Sequence, residues 1–585
     1  MKKSLGALII VVAVVLFYGA FSDYNKSNDL IFYGGNIITL EDRQPTVEAI
    51  LVKDGKIIAV GTMDSIIRLK NAKTKVINLE GKTMLPGFID PHGHYDFAAV
   101  FRSMTDVSGV IYRKPDEVWH RIIEAVNKAE PGEWVYCYGM DPILTEGISR
   151  PTLQYLDSIA PDNPLVIITK ALHVFYANSK AFGALGINKG TKDPSDASYY
   201  EKDANGNLTG AIFEQEALEP FRHQIQSDIK EDFVKNTQLV MKDYASFGVT
   251  SAVNMGLPAD KKSILTLYSH IAAEKADPLQ NLISFTGKLP KRYPHQRLFI
   301  YLRKENFDLL PIKDEQQDDF FKIIGIKMWY DGSPYAGSMY LRQPYIRSDF
   351  TINGINLNPN HRSHPLLRQD ELMSWIEKTQ TKGYQVAIHA QGDIAHDDVV
   401  SVFKQLHIKS QINPYRHRVE HCMLLPGERI DELKSMSVTP GFHINHVLYY
   451  GDFLSKEILG EERANQIFPI ASVAKTGLPF SLHADMPQFY PNPLLLASTA
   501  INRKTEAGHV YNDKEKISVW EALKGITIYP AWQLHMENKL GTIKPGKYAD
   551  LVILDKNPLS VNPEVLDKIL VLETIVAGNT IYRKK

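Results

Sequence analysis

The stretch Met84-Leu-Pro-Gly-Phe-Ile-Asp-Pro-His-Gly-His94 ends a short apolar run with two histidines spaced i, i+2, just past a Pro-Gly pair. In an extended segment residues i and i+2 point to the same side, so His92 and His94 offer two imidazoles to one cation at the mouth of a strand. Histidines also sit at strand ends for hydrogen bonding alone. The pair by itself therefore leaves a metal site and a structural role both open.

Downstream of this stretch, short apolar runs alternate with longer helical patterns, the layout of a parallel barrel whose function sits at strand C-termini. The runs are Leu85 to Ile89, Val249 to Val253, Leu282 to Phe285, Ile323 to Trp329, Gln385 to Ile388, Arg416 to Val419, Ser437 to Pro440 and Leu478 to Leu482, eight in all. The segment from about 99 to 242 is too long for one crossover helix and reads as an insertion packed over the barrel mouth, a lid or specificity element. Before the barrel, Leu30-Ile-Phe-Tyr, Ile37-Ile-Thr-Leu and Ala49 to Val60 read as antiparallel strands; Gly541 to Leu554 and Leu570 to Tyr582 close the chain in the same style. The fold expected is α/β: a TIM-type (β/α)8 barrel over 85–535, with a small β-sandwich domain built from both chain ends (28–84 and 536–585) and a large insertion after the first barrel strand.

Read in order, the C-terminal ends of those runs carry His92 and His94, Lys327, His389, His421 and Asp485. Neutral imidazoles and a carboxylate suit Zn²⁺ and similar divalent ions, and an open coordination position leaves room for a water whose pKa falls to about 7 on binding. Lys327 is the odd member, because an ammonium beside a dication is repelled. As a neutral amine it can react with CO₂ to give a carbamate anion that bridges two metals; unmodified, it would form a barrel-lining ion pair with Asp331.

At this point the chain resembles the amidohydrolase superfamily, and within it the amidohydrolase-3 group of N-substituted formamide deformylases and YtcJ-like proteins. Pro86-Gly-Phe-Ile-Asp-Pro-His-Gly-His94 looks like the family's first-strand motif, Lys327-Met-Trp-Tyr-Asp-Gly-Ser333 its fourth and Val386-Ala-Ile-His-Ala-Gln-Gly-Asp393 its fifth. His417-Arg-Val-Glu-His421 resembles the sixth, His483-Ala-Asp-Met-Pro487 the eighth, and Gly541 to Asp555 the C-terminal strand pair. The resemblance spans nearly everything after the first residues and is specific for the superfamily, much less so for substrate. It departs at Ser251-Ala-Val-Asn-Met-Gly256, where this group often has an Asp after a His, and at the bulky Met328-Trp-Tyr330.

The resemblance implies that His92, His94 and Asp485 hold one metal, that His389 and His421 hold a second, and that a carbamylated Lys327 bridges them: one or two divalent ions, zinc by preference. The implied reaction is hydrolysis of a non-peptide C–N bond, amide or formamide-like, with Asp485 as general base and then acid. Deamination of a heterocycle or hydrolysis of a cyclic amide on the same site is the alternative, and a non-catalytic metal-binding barrel is another. His173, which ends the apolar run Pro164 to His173 inside the insertion, resembles a recurring histidine of the family and is taken as a substrate contact. His443, His446, Tyr449, Tyr450 and Asp452 could line the pocket or simply pack, and Asp393 could orient His389.

The rest of the chain bounds the setting. Across 585 residues, 66 Lys+Arg balance 67 Asp+Glu, so electrostatics gives no reason for a nucleic-acid partner and a small-molecule substrate fits better. Met1-Lys-Lys and the uncharged apolar run over residues 5–21 read as an export segment, with small residues Ala20 and Ser22 at a cleavable boundary. The run is also long enough to anchor the protein to the inner membrane, and either way the expected location is extracytoplasmic, periplasmic or membrane-anchored facing the periplasm. Cys137 and Cys422 read as two buried free thiols, and the sequence leaves a homo-oligomer open.

Overall fold

The computed structural model describes residues 29–170, 172, 174–194, 198–229, 232–258, 262–273, 296–313, 318–410 and 415–585. Eight strands run parallel in one sheet: β1 (Phe88–Gly93), β2 (Val249–Leu257), β3 (Arg297–Arg303), β4 (Phe321–Trp329), β5 (Gln385–Ala390), β6 (Arg418–His421), β7 (Thr439–Phe442) and β8 (Ser481–Leu482). Most are buried on both faces, which is why their sequences run apolar rather than alternating. The sheet curls into a nearly closed barrel. Its seam between β8 and β1 is joined by the backbone bond from His94 N–H to Met486 O at 2.7 Å.

The third barrel strand is Arg297–Arg303 and not Leu282 to Phe285, the run expected from sequence, which lies outside the described residues. The first run is also divided. Thr83–Pro86 pairs with Leu551–Leu554 in the terminal sheet, and only after Gly87 does the chain enter β1.

Crossover helices cover the barrel outside. Gln369–Thr381, between β4 and β5, buries Leu372, Ile376 and Thr379 at helical spacing and carries Asp370 and Glu371 in its first turn, where carboxylates suit the helix dipole. Inside the barrel, Ile89, Val253, Phe299, Tyr301 and Ala387 cluster with Leu534, Met536 and Leu540 from the C-terminal segment. Each of the larger aliphatic and Phe side chains buried here contributes roughly 1.5–3 kcal/mol.

Strands from both chain ends share one further sheet, in the order Asn579–Arg583, Val571–Val576, Leu551–Leu554, Thr83–Pro86, Leu30–Ile38, Thr46–Lys53, Lys56–Gly61. Lys75–Asn78 and Thr83–Pro86 run parallel to Leu30–Ile38, so this sheet is mixed rather than wholly antiparallel. Between β1 and β2 the chain builds a six-stranded sheet from Thr105–Asp106 to Leu208–Phe213, flanked by helices such as Pro115–Lys128. This insertion meets the loop after β8: Tyr138 Oη donates to Pro487 O at 2.9 Å and Lys170 Nζ to the same oxygen at 3.2 Å. Cys137 and Cys422 are both free and buried. Among the described residues no helix is long and apolar enough to cross a membrane; residues 1–22 and His173 lie outside them.

Candidate metal centre

The ends of β1, β4, β5 and β6 and the loop after β8 bring His92, His94, Lys327, His389, His421 and Asp485 into one space. Asp485 Oδ1 is 3.4 Å from His92 Nε2 and 3.2 Å from His94 Nε2. Lys327 Nζ lies 3.4 Å from the same His92 nitrogen. The His421 ring is centred 4.8 Å from His92 and 4.1 Å from His389. Between the two first-strand histidines only glycine fits, because a Cβ at Gly93 would stand 2.5 Å from the Tyr244 hydroxyl.

A carboxylate backs the first histidine. His92 Nδ1–H donates to Glu420 Oε2 at 2.7 Å, and Glu420 Oε1 pairs with Arg418 Nε at 2.7 Å, all three residues being fully or almost fully buried. With its proton committed to Glu420, His92 turns a lone pair on Nε2 towards Asp485, the arrangement that orients ligating imidazoles in metal sites. Glu420 has room for this because Gly441 beside it has no Cβ, which would run into the carboxylate. Near His389 the corresponding carboxylate is Asp331, 3.8 Å from Nε2 and held by the backbone N–H groups of Gln391 and Gly392 at 2.9 Å and Tyr340 at 3.1 Å. Asp393, assigned that place from sequence, instead accepts from the backbone of Arg342 at 2.8 Å and Ile394 at 3.0 Å.

Residues 75–582 match the amidohydrolase family. The chain belongs to that family. As a member it is a metal-dependent hydrolase acting on carbon–nitrogen bonds. It is similar to the N-substituted formamide deformylase of Arthrobacter pascens, 25% identical over 96% of this chain and 99% of that one, and to YtcJ of Bacillus subtilis (strain 168), 26% identical over 95% and 99%. It also resembles the plant protein LONG AFTER FAR-RED 3 of Arabidopsis thaliana, 24% identical over 95% and 91%. Among solved structures, an uncharacterized metal-dependent hydrolase from Pyrococcus horikoshii OT3 shares the fold, with a TM-score of 0.69 at 24% identity over 92% of this chain and 99% of that one.

The amidohydrolase site has the electrostatics of a cation receptor. Burial, reinforced by Lys327 and neighbouring histidines, holds His92 and His421 well below the ordinary imidazole range and takes His389 down to about 3. The rings are thus neutral and able to donate lone pairs. Burial alone would raise Asp485, but the neighbouring His94, His443 and His483 hold it well below the usual carboxylate range, so it is ionised. Burial brings Lys327 down to about 8 against the pull of Glu420 and Asp485. His389 Nε2, His421 Nδ1 and Asp485 Oδ1 are buried without a hydrogen-bond partner, a costly condition for polar atoms that a coordinated cation relieves.

Glu420, Arg418 and His483 stand inside the sixth and eighth family motifs without a role of their own in the sequence, Asp331 figures there only as a partner for Lys327, and His443 and His446 are left between pocket lining and packing. His443 and His446 are 3% and 6% exposed. Tyr450 is buried too and donates to Asp141 of the insertion at 2.7 Å, whereas Asp452 lies at the surface against His509.

Proposed function

We propose that the protein hydrolyses the C–N bond of a small N-substituted formamide or a related non-peptide amide, using a divalent ion, zinc by preference, held by His92, His94 and Asp485. The observation that carries this reading is the convergence of two imidazole nitrogens on one carboxylate oxygen, at 3.4 and 3.2 Å, where the barrel strands end. The formamide class is supported by the end-to-end similarity to the Arthrobacter pascens deformylase.

A divalent ion bound there supplies Lewis acidity towards a carbonyl oxygen and a lowered pKa for coordinated water. The chain supplies the rest. Glu420 fixes the His92 tautomer, which leaves the Nε2 lone pair to hold an ion. Asp485 takes a proton from water as its oxygen attacks the formyl carbon, then delivers that proton to the nitrogen as the C–N bond breaks, leaving formate and an amine. Aromatic rings surround the histidines, with Phe97 5.7 Å from His94, Phe489 5.6 Å from His443 and Tyr335 5.4 Å from His446, a lining that suits an apolar N-substituent. Lys327, shifted towards the neutral amine by burial, is proposed to carry a carbamate, with His389 and His421 facing the same space. Export through residues 1–22 to the periplasmic side belongs to the same proposal and is tested by cell fractionation.

The test is release of formate and amine from a panel of N-alkyl and N-aryl formamides by zinc-loaded protein, run beside ammonia release from amino-heterocycles. Formate release is the expected outcome. Ammonia release without formate would move the assignment to deamination, and turnover of neither by metal-loaded protein would remove both substrate classes.

A further inference from the structure

Lys170 carries a charge from the insertion to the loop that bears Asp485. It follows the strand Leu165–Thr169, its backbone N–H donates to Met140 O at 2.9 Å, and its side chain is buried. Nζ donates to Pro487 O at 3.2 Å and to Tyr138 Oη at 3.3 Å, and Tyr138 Oη donates in turn to the same Pro487 oxygen at 2.9 Å. The ammonium also lies 5.2 Å from the centre of the Tyr138 ring and 5.7 Å from that of Phe489. Burial brings it down to about 8 against the pull of Asp106 and Asp141, so it is still charged at pH 7. A buried ammonium costs the fold more than an apolar side chain of similar length would, which points away from packing as its role.

The loop from His483 to Phe489 is held from two sides. On the barrel side His483 N–H donates to Phe442 O at 3.0 Å and His94 N–H to Met486 O at 2.7 Å, and within the loop Gln488 N–H donates to Asp485 O at 2.8 Å. The Pro487 carbonyl is held by the insertion. Asp485 itself has φ 54°, a left-handed conformation that a residue with a Cβ keeps where its surroundings hold it there. A carboxylate that takes a proton from water and hands it to a departing nitrogen has to be aimed, and a displacement of about 1 Å costs on the order of 10²-fold in rate. We propose that Lys170, with Tyr138, is a positioning residue for the hydrolysis: the two side chains grip the Pro487 carbonyl and so aim the Asp485 carboxylate, which makes the insertion a working part of the active site. The inference rests on the proton-transfer role given to Asp485 above. Tyr450 Oη, donating to Asp141 Oδ2 at 2.7 Å, ties the insertion to the barrel at a second point, so removing Lys170 releases the loop without releasing the insertion.

The experiment compares full-length, zinc-loaded wild type, Lys170→Met and Tyr138→Phe in kcat, KM, zinc content and thermal transition, on whichever formamide or amino-heterocycle of the panel wild type turns over. Crystal structures of all three give a reading that needs no substrate. Lys170→Met should lose about 10- to 100-fold in kcat with KM, zinc content and thermal midpoint little changed, and its Asp485 carboxylate should be displaced or split between two positions. Tyr138→Phe, which keeps the Lys170 bond to Pro487, should lose less, and it carries the test if Lys170→Met does not fold. Wild-type kcat in Lys170→Met, or in Tyr138→Phe where that variant stands in for it, overturns the inference. So does a loss of kcat that tracks loss of zinc or of the folded state, or an Asp485 that superposes on its wild-type position. Wild-type protein that turns over no panel substrate removes the proposed function, and the crystal comparison then decides the inference alone.

Discussion

His417 and His483 are both fully buried, and burial takes both down to about 3, yet they stand at opposite ends of the barrel in opposite conditions. His417, just before β6, has both nitrogens occupied: Nδ1 accepts the Val386 N–H at 3.0 Å, and Nε2 pairs with the Gln380 side-chain amide at 2.8 Å. His483, just after β8, has neither. The contrast extends to charges. At the start of β3, Arg297 makes two bonds to Asp550, at 2.7 and 3.0 Å, and Asp550 also takes the Ala577 N–H at 2.8 Å. At the mouth, Asp485 Oδ1 has only histidines around it. At one end of the strands His417 and Arg297 complete their polar pairs within the chain and serve stability. The other leaves lone pairs facing one another, available to a ligand, the division of labour that barrels of this type allow.

Four changes would break or sharpen this contrast. Asp485→Asn should lower turnover about 10³-fold while leaving the thermal transition in place, since it removes a proton carrier and little packing; an active Asn variant would remove Asp485 from the chemistry. At the other end, Asp550→Ala strands the Arg297 charge and should cost about 3–5 kcal/mol in urea unfolding with zinc content unchanged. Loss of zinc there would mean that the two ends are not separable. Glu420→Gln should weaken zinc binding about 10–100-fold in a chelator competition, because the amide no longer accepts the His92 proton as strongly. The smallest effect is a slope. His417 is neutral in the fold at pH values where the unfolded chain protonates it, so its contribution is present above about pH 6.5 and is lost as pH falls from there towards 3. His417→Gln should flatten unfolding free energy over that window, measured on metal-free protein, and an unchanged slope would contradict the assignment.

Much of this was legible in the chain, for identifiable reasons. Strands buried on both faces leave apolar runs, and residues at their ends face the mouth, so His92, His94, Lys327, His389, His421 and Asp485 could be gathered before any coordinates. β3 was hidden because Arg297 and Arg303 bracket its apolar centre, and the ion pair that buries Arg297 joins it to a residue 253 positions away. Glu420 was hidden by alternation, which sends neighbours to opposite faces. His421 adopts φ 75°, Cys422 φ 51° and Asp485 φ 54°, so the chain turns at these strand ends and lets Glu420 and His421 both reach the site. His483 was within reach of the reading, since it stands at i, i+2 from Asp485 just as His92 does from His94, but a histidine two residues before a better ligand was passed over.

If the donors at the mouth hold the ion that makes the barrel a hydrolase, activity follows the metal. Stripping wild-type protein with chelator and titrating zinc back while following formate release from an N-substituted formamide tests it. The prediction is activity abolished by stripping and restored stoichiometrically in wild type, with no restoration in His94→Ala; turnover that survives complete metal removal would contradict it.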